Sequence, residues 1–333
     1  LQMISADEYQ AYGTTLINFA EKISSFSSPL AVGMSGNFRQ MKRRILNIAV
    51  FRKETLYQKM RALIIYLVIS AVFIGCTPIL SIDASTQSVY HFSDTDKNIS
   101  LLDISETFGT YDGSFVLYDN NLDSWKIYDL EEATKRIPPE STYKIYDALL
   151  GLESGIITPE HSSMTWNGDA FPFPSWEADQ DLNSAMQNSV NWYFQAIDSQ
   201  LGINRVQEFL NKIEYGNQTT SSNLDLYWSD FSLKISPLEQ VTLLKKFNTN
   251  EFHLNFQNVF SVKNAIKIAS TPNGNFYGKT GTGRVNGQDI NGWFIGYVET
   301  SDNSYYFATN IQSDSNATGK KAFEITSDIL KKL

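Results

Sequence analysis

The chain has 333 residues, 42% hydrophobic and 13% aromatic, with 27 basic and 36 acidic side chains and a formal charge of −9. This supply of apolar residues excludes a largely disordered or low-complexity chain, and the length sets an expectation of about two domains. A single cysteine excludes a disulfide framework or a Cys-rich metal site, and the acidic balance argues against nucleic acid as a partner.

The charge is unevenly placed. Residues 1–61 carry nine Lys/Arg and four acids, which leaves a net −14 on the remainder. Within 38–60, Ile45, Leu46, Ile48, Val50 and Phe51 are interleaved with basic residues. That pattern suits a helix lying on an anionic inner leaflet, and equally a helix that simply leads into a membrane span. Residues 62–80 are nineteen positions without a charge. As a helix they would extend about 28 Å, close to the ~30 Å of a hydrocarbon core. Because the basic cluster lies only on the N-terminal side, the positive-inside rule predicts a cytoplasmic segment over 1–61, a single transmembrane helix over 62–80 and an extracytoplasmic domain over 85–333. A rival reading takes Met60 as the start of a lipoprotein signal with Cys76 lipidated, and the 59 residues upstream oppose it. A first residue of Leu1 rather than Met sets the expectation of a fragment.

Beyond the span, 113–118 and 125–128 read as a hairpin around Asp119-Asn120-Asn121. Pro138-Pro139 stops the chain, and 141–153 has helical spacing through Ile145, Ala148, Leu149 and Leu152, ending near Gly155. Further helices are predicted at 190–201, 205–213, 237–247 and 262–269. Strands are predicted at 275–279, 293–299 and 305–311, the last two forming a hairpin around Ser301-Asp302-Asn303. Residues 322–333 close as an amphipathic helix through Phe323, Ile325, Ile329 and Leu330. Strands at both ends with helices between them predict an α/β (α+β) domain, with an antiparallel sheet shared by the two termini beside a helical lobe.

Ser141-Thr142-Tyr143-Lys144 sets a hydroxyl and an amine three residues apart, on one face of a helix. Serine needs a base beside it to act as a nucleophile, and lysine serves as that base only when burial or a nearby cation makes it neutral. Alone, the pair reads as an N-capping serine with a surface lysine. Two companions change that reading. Ser189-Val190-Asn191 follows 48 residues later, and Lys279-Thr280-Gly281 a further 90 residues on, on a predicted strand running into Thr282. Together they supply a nucleophile with its base, a second hydroxyl and amide for proton relay, and a cation–hydroxyl pair for a carboxylate. Gly281 allows close approach of a ligand, and the N–H groups of Ser141 and Thr282 are expected to form an oxyanion hole. This ordered set is a signature of penicillin-recognising serine enzymes.

Residues 110–333 resemble the class D (oxacillinase-type) β-lactamase fold within that serine β-lactamase/transpeptidase-like group. Tyr215-Gly216-Asn217-Gln218, Tyr227-Trp228 and Ile235-Ser236-Pro237-Leu238-Glu239-Gln240 match that branch in order. The similarity extends further to BlaR/MecR-type β-lactam sensor–transducers, whose outer sensor domains look like class D enzymes and follow a transmembrane helix. It is carried by Pro139-Glu140-Ser141-Thr142-Tyr143-Lys144, by Asn188-Ser189-Val190-Asn191-Trp192-Tyr193-Phe194 and by the basic-then-apolar layout of 38–80. The stretch Tyr12-Gly13-Thr14-Thr15-Leu16-Ile17 resembles the tail of that family's cytoplasmic zinc-protease domain, but its His-Glu-x-x-His motif is absent here. The three histidines (His91, His161, His253) all lie beyond the span and read as surface or half-buried residues, so no metal is expected.

The resemblance implies β-lactam antibiotics as ligands, the bacterial cell membrane as location and, in the full-length protein, a cytoplasmic repressor pathway as partner. It implies acylation at Ser141 with Lys144 as base, Ser189 and Asn191 assisting, and Lys279, Thr280, Gly281, Thr282 and Trp228 binding the drug. It also implies no cofactor beyond a possible N-carboxylation of Lys144, the carbamate of class D enzymes, held by a Trp matching Trp228. Those enzymes usually have Val where this chain has Asn191, and an amide there disfavours the carbamate, so a persistent adduct and a receptor are expected rather than a class D hydrolase. They also carry an Arg near the start of the last helix. Here Lys320 and Lys321 stand there and no Arg follows Arg284, so carboxylate binding is expected to rest on Lys279, Thr280 and Thr282.

Overall fold

The computed structural model describes residues 88–333 apart from 94 and 96. The predicted cytoplasmic segment, the predicted span, Cys76 and the stretch at 12–17 therefore lie outside the described residues. Among the described residues no helix is long and apolar enough to cross a membrane.

The described region opens with β1 (Asn98–Leu101), a short α1 (Ser105–Phe108), β2 (Asp112–Asp119), β3 (Ser124–Tyr128) and α2 (Leu130–Thr134). A 3₁₀ turn over Glu140–Tyr143 feeds α3 (Lys144–Glu153), followed by a second 3₁₀ turn at Pro174–Trp176. Next come α4 (Leu182–Gln187), α5 (Asn191–Leu201), α6 (Ile203–Ile213), α7 (Pro237–Asn248) and α8 (Phe256–Ala265). The chain returns through β4 (Lys267–Thr271), β5 (Gly274–Val285), β6 (Gln288–Glu299), β7 (Ser304–Gln312) and α9 (Gly319–Leu330).

The seven strands form one sheet in the order β1-β3-β2-β7-β6-β5-β4, so strands from both ends of the domain meet at the β2–β7 pair. Every neighbouring pair is antiparallel except β1–β3, which is parallel and departs from the all-antiparallel expectation. The central strands alternate their apolar residues between two cores, as a period of two requires. Val116, Tyr118, Ile295, Tyr297, Tyr306 and Ala308 face the helical lobe. Phe115, Leu117, Phe294, Phe307 and Ile311 face the other way, against Ala322, Ile325 and Ile329 of α9. Those three α9 positions recur at intervals of three and four, the stripe of a helix packed on one side.

Local chemistry explains several boundaries. α7 starts where Ser236 and Glu239 form a reciprocal capping box with Pro237 in the first turn. The same Glu239 receives Arg136, Nε to Oε2 at 2.9 Å and the terminal nitrogen to Oε1 at 2.6 Å, which anchors the approach to the Glu140–Tyr143 turn. The helix predicted over 262–269 is displaced: α8 begins at Phe256, where the Asn255 side chain accepts the Gln257 N–H at 2.8 Å, and ends at Ala265. Lys267–Thr271 instead pairs with β5 as an edge strand exposed along its whole length, which is why it lacks an apolar alternation to read.

Candidate active site

The turn that carries Ser141 is fixed from several directions. The Pro138 carbonyl accepts from Trp293 Nε1 at 2.8 Å and from Asn291 Nδ2 at 3.0 Å, and the Pro139 carbonyl accepts the Thr142 hydroxyl at 2.6 Å. The Glu140 N–H donates to the Trp228 carbonyl at 3.1 Å. Glu140 itself holds φ at +52°, a left-handed conformation uncommon outside glycine. Ser189, in the bend between α4 and α5, is held the same way at +53°. Strained backbone at two such residues is retained only where the surroundings over-determine it, a pattern concentrated at functional sites.

Ser141 does not act as a helix cap, since α3 has no side-chain cap. Its Oγ accepts from Lys144 Nζ at 3.0 Å, and the same amine donates to Asn191 Oδ1 at 2.7 Å. Asn191 likewise leaves its own helix uncapped and spends its carbonyl on the lysine. Lys144 is buried, with the rings of Phe194 and Trp228 each 5.6 Å from its nitrogen. Burial lowers this amine to about 8, against the opposing pull of Asp147, Glu140 and Asp198. A substantial neutral fraction at ordinary pH is what a general base for a serine hydroxyl requires.

Lys279, on β5, is buried as well and donates to the Ser189 hydroxyl and, at 2.9 Å, to the Thr280 carbonyl. Burial pushes its amine well below the ordinary lysine range, and the neighbouring Lys144 adds to the shift. Gly281 stands where a side chain would press on the turn: a β-carbon there would lie 3.1 Å from the Pro139 carbonyl and 3.2 Å from the Ser141 nitrogen. Gly319, at the start of α9, is equally constrained, because a β-carbon would meet the Gly281 carbonyl at 2.6 Å. Its N–H donates to the Thr282 hydroxyl at 2.8 Å, so the last helix is keyed to the Lys279–Thr282 strand.

Ser141, Ser189, Asn191, Thr280, Gly281 and Thr282 line one open cleft of about 390 Å³, while Lys144 and Lys279 lie beneath its floor. Trp228, expected among the drug-binding residues, does not line that cleft; it is buried and forms a wall of the lysine pocket. Tyr193 and Tyr215 are core residues, Tyr215 packing edge-on against Tyr143 and Tyr146. Trp192 hydrogen-bonds the Trp176 carbonyl at 2.9 Å and so braces a loop at the mouth.

Sequence reasoning missed part of the lining. Phe173 and Trp176 form an aromatic wall, and Arg284 stands at one end of the cleft with Asp289, its Nε 2.7 Å from Oδ1. Arg284 was legible as a cation three residues past the Lys-Thr-Gly motif on the same strand. The β5–β6 register shifts between Gly283 and Arg284, and Thr280, Thr282 and Arg284 all line the cleft.

A model of the penicillin-binding protein transpeptidase domain matches residues 113–331. The chain belongs to that family. Within it, the chain is 42% identical over 325 residues to Regulatory protein BlaR1 of Bacillus licheniformis, an alignment covering 96% of this chain and 53% of that one. Among solved structures, the C-terminal domain of the Bacillus licheniformis BlaR penicillin-receptor is 46% identical, with a TM-score of 0.69, covering 71% of this chain and 97% of that chain. The class D β-lactamase BAT-2 is 37% identical at a TM-score of 0.65, covering 69% and 95%. The transpeptidase-like fold and the likeness to BlaR/MecR-type sensors and class D enzymes expected from the motifs are therefore established. The chain spans little more than half the length of the curated sensors it matches.

Proposed function

We propose that this chain is the β-lactam-binding part of a membrane-bound sensor–transducer: a penicillin acylates Ser141, the adduct deacylates slowly, and occupancy is the signal. The Ser141 hydroxyl attacks the lactam carbonyl while neutral Lys144 takes its proton. The C–N bond of the ring then breaks, and a proton passes to the departing nitrogen through Ser189, which Lys279 hydrogen-bonds. The carbonyl oxygen that becomes negative is stabilised by the backbone N–H groups of Ser141 and Thr282. The ligand carboxylate is held by Thr280 and Thr282 with Lys279 behind them, and Arg284, which lines the same cleft, supplies the guanidinium that the last helix lacks.

The observation that carries this reading is the hydrogen bond from Lys144 to Asn191 Oδ1 at 2.7 Å. An amide oxygen facing the amine favours free lysine over an anionic carbamate, so after acylation water must be activated without the carboxylated lysine of class D hydrolases. The second reading, a class D hydrolase, is favoured by the aromatic walls of Phe194 and Trp228, which suit a carboxylated lysine. Replacing Asn191 by Val decides between them. The sensor reading expects a stoichiometric adduct in the parent chain and an adduct lifetime shortened at least tenfold in N191V. An unchanged lifetime removes Asn191 from the scheme. The transmembrane segment over 62–80, the extracytoplasmic placement of 85–333 and a cytoplasmic repressor pathway in the full-length protein belong to the same proposal.

A further inference from the structure

A second cavity, of about 140 Å³, adjoins the nucleophile turn, and the scheme above does not use it. Of the residues lining it, only Arg284 also lines the reaction cleft. Two consecutive residues therefore serve two spaces: Ser141 lines the cleft and Glu140 lines the cavity. Much of the wall is apolar, formed by Ile137, Val285, Ile290 and Phe231. Phe231 leaves half of its surface exposed and holds φ at +69°, a costly conformation for a bulky residue.

Glu140 is the acid in that wall, and it is only 6% exposed. Gly283 makes room for it, because a β-carbon there would lie 2.4 Å from Oε1. Asn291 Nδ2 reaches the same oxygen at 3.3 Å, but it also donates to the Pro138 carbonyl at 3.0 Å. Oε2 receives no hydrogen bond from any described residue. A buried carboxyl oxygen without a donor is costly, so this one has bonding capacity to offer. The charged groups around it leave that capacity unused. Lys144 spends its amine on Ser141 and Asn191, and the Nε of Arg284 donates to Asp289 at 2.7 Å. Burial pushes the Glu140 carboxyl up to about 8, so a cation arriving beside it would send its proton to solvent.

One carboxyl among apolar walls selects what can enter. An anion is repelled, and a hard metal ion requires several oxygen ligands, where a single carboxyl group stands here. An ammonium or amidinium needs only one carboxylate, and its charge-assisted bonds are the strong ones. A cavity of about 150 Å³ takes a benzene ring, which sets the size of the apolar part. We propose that this cavity is a second binding site, for a small organic monocation, in which Glu140 holds an ammonium or amidinium and Ile137, Val285, Ile290 and Phe231 enclose a short aryl or alkyl group. The inference is independent of acylation at Ser141.

The test titrates the purified chain with benzamidinium and with benzamide, a neutral molecule of nearly the same shape. Calorimetry gives the affinities, and nuclear Overhauser contacts to methyl-labelled protein give the location. Benzamidinium should saturate at one equivalent, contact the Val285 and Ile290 methyls, and bind at least tenfold more tightly than benzamide. Glu140→Gln keeps the size of the side chain and should remove that preference. Val285 is 38% exposed, so Val285→Trp fills the cavity from its open side and should abolish binding even if the Gln variant fails to fold. Equal affinity for the two probes, a preference that survives in Glu140→Gln, or binding unchanged in Val285→Trp overturns the proposal. Contacts confined to Phe173 and Trp176 overturn it as well, since they place the probe in the cleft. If penicillin fails to label Ser141, the sensor reading falls while the titration still reports on this cavity.

Discussion

The two faces of the sheet are built from different materials. The face under α9 is nearly pure hydrocarbon: Phe115, Phe294, Phe307, Ile311, Ile325 and Ile329 pack together, with Phe276 and Phe323 completing the ring contacts. Its buried polar pair, Thr309 with Thr326, is satisfied by a mutual hydrogen bond. The face under the helical lobe has tyrosines where the other has phenylalanines, and it buries Lys144, Lys279, Glu140, Asp147 and Asp198. Burying charge is expensive unless it is paired or neutralised, so the second face gives up stability that the first supplies. The difference teaches that stability and chemistry are separated by a single layer of backbone, and each side should respond to substitution in its own way.

The largest expected effect falls on the charged side. Lys144→Met keeps the hydrocarbon stem and removes the base, and acylation should slow by about 10²–10⁴-fold with the melting temperature held or raised. In the parent chain the same dependence should appear as pH. The neutral amine is the active form and burial sets it near 8, so acylation should fall about tenfold for each unit below that value and level off above it. A Met variant acylated at the parent rate would dissolve the distinction between the two faces.

The opposite substitution sharpens it. Phe307→Ala, on the apolar face, should lower stability by about 3–5 kcal/mol in chemical denaturation while the folded fraction acylates at the parent rate. A comparable loss of acylation rate in the folded fraction would mean that the two sides are mechanically coupled.

The smallest effect is expected at the rim. Arg284→Ala should weaken the apparent affinity for a penicillin by about tenfold, less than a buried charged contact because the guanidinium is exposed and already paired with Asp289. A β-lactam with its carboxylate esterified should lose nothing. An equal loss with the ester would place Arg284 outside carboxylate binding.

This contrast also explains which features are legible in the sequence. The apolar face was legible, because the strands at 293–299 and 305–311 and the closing helix announce themselves by period. So were Ser141, Lys144, Ser189, Asn191 and Lys279, since the motifs fix residue types at recognisable intervals. Lys144 and Asn191 lie 47 positions apart, and nothing local to either states that they touch. Asp147 and Asp198 escaped because an aspartate within a helix reads as a solvated position. A signal existed at Asp147, which sits in Ile145-Tyr146-Asp147-Ala148-Leu149-Leu150, a helix apolar all round and therefore buried all round. Edge strand β4 escaped for the converse reason, having no buried face to impose an alternation.

The central claim is that a free amine, held by an amide oxygen, promotes rapid acylation of its serine by a β-lactam and then leaves the ester stranded. The most direct measurement is the lifetime of the adduct, followed by intact mass after one equivalent of penicillin is mixed with the purified chain. The account predicts one added penicillin per chain, mapped to Ser141 and persisting for minutes or longer. Loss of the increment within seconds, with sustained turnover of nitrocefin, or its appearance on another residue would contradict it.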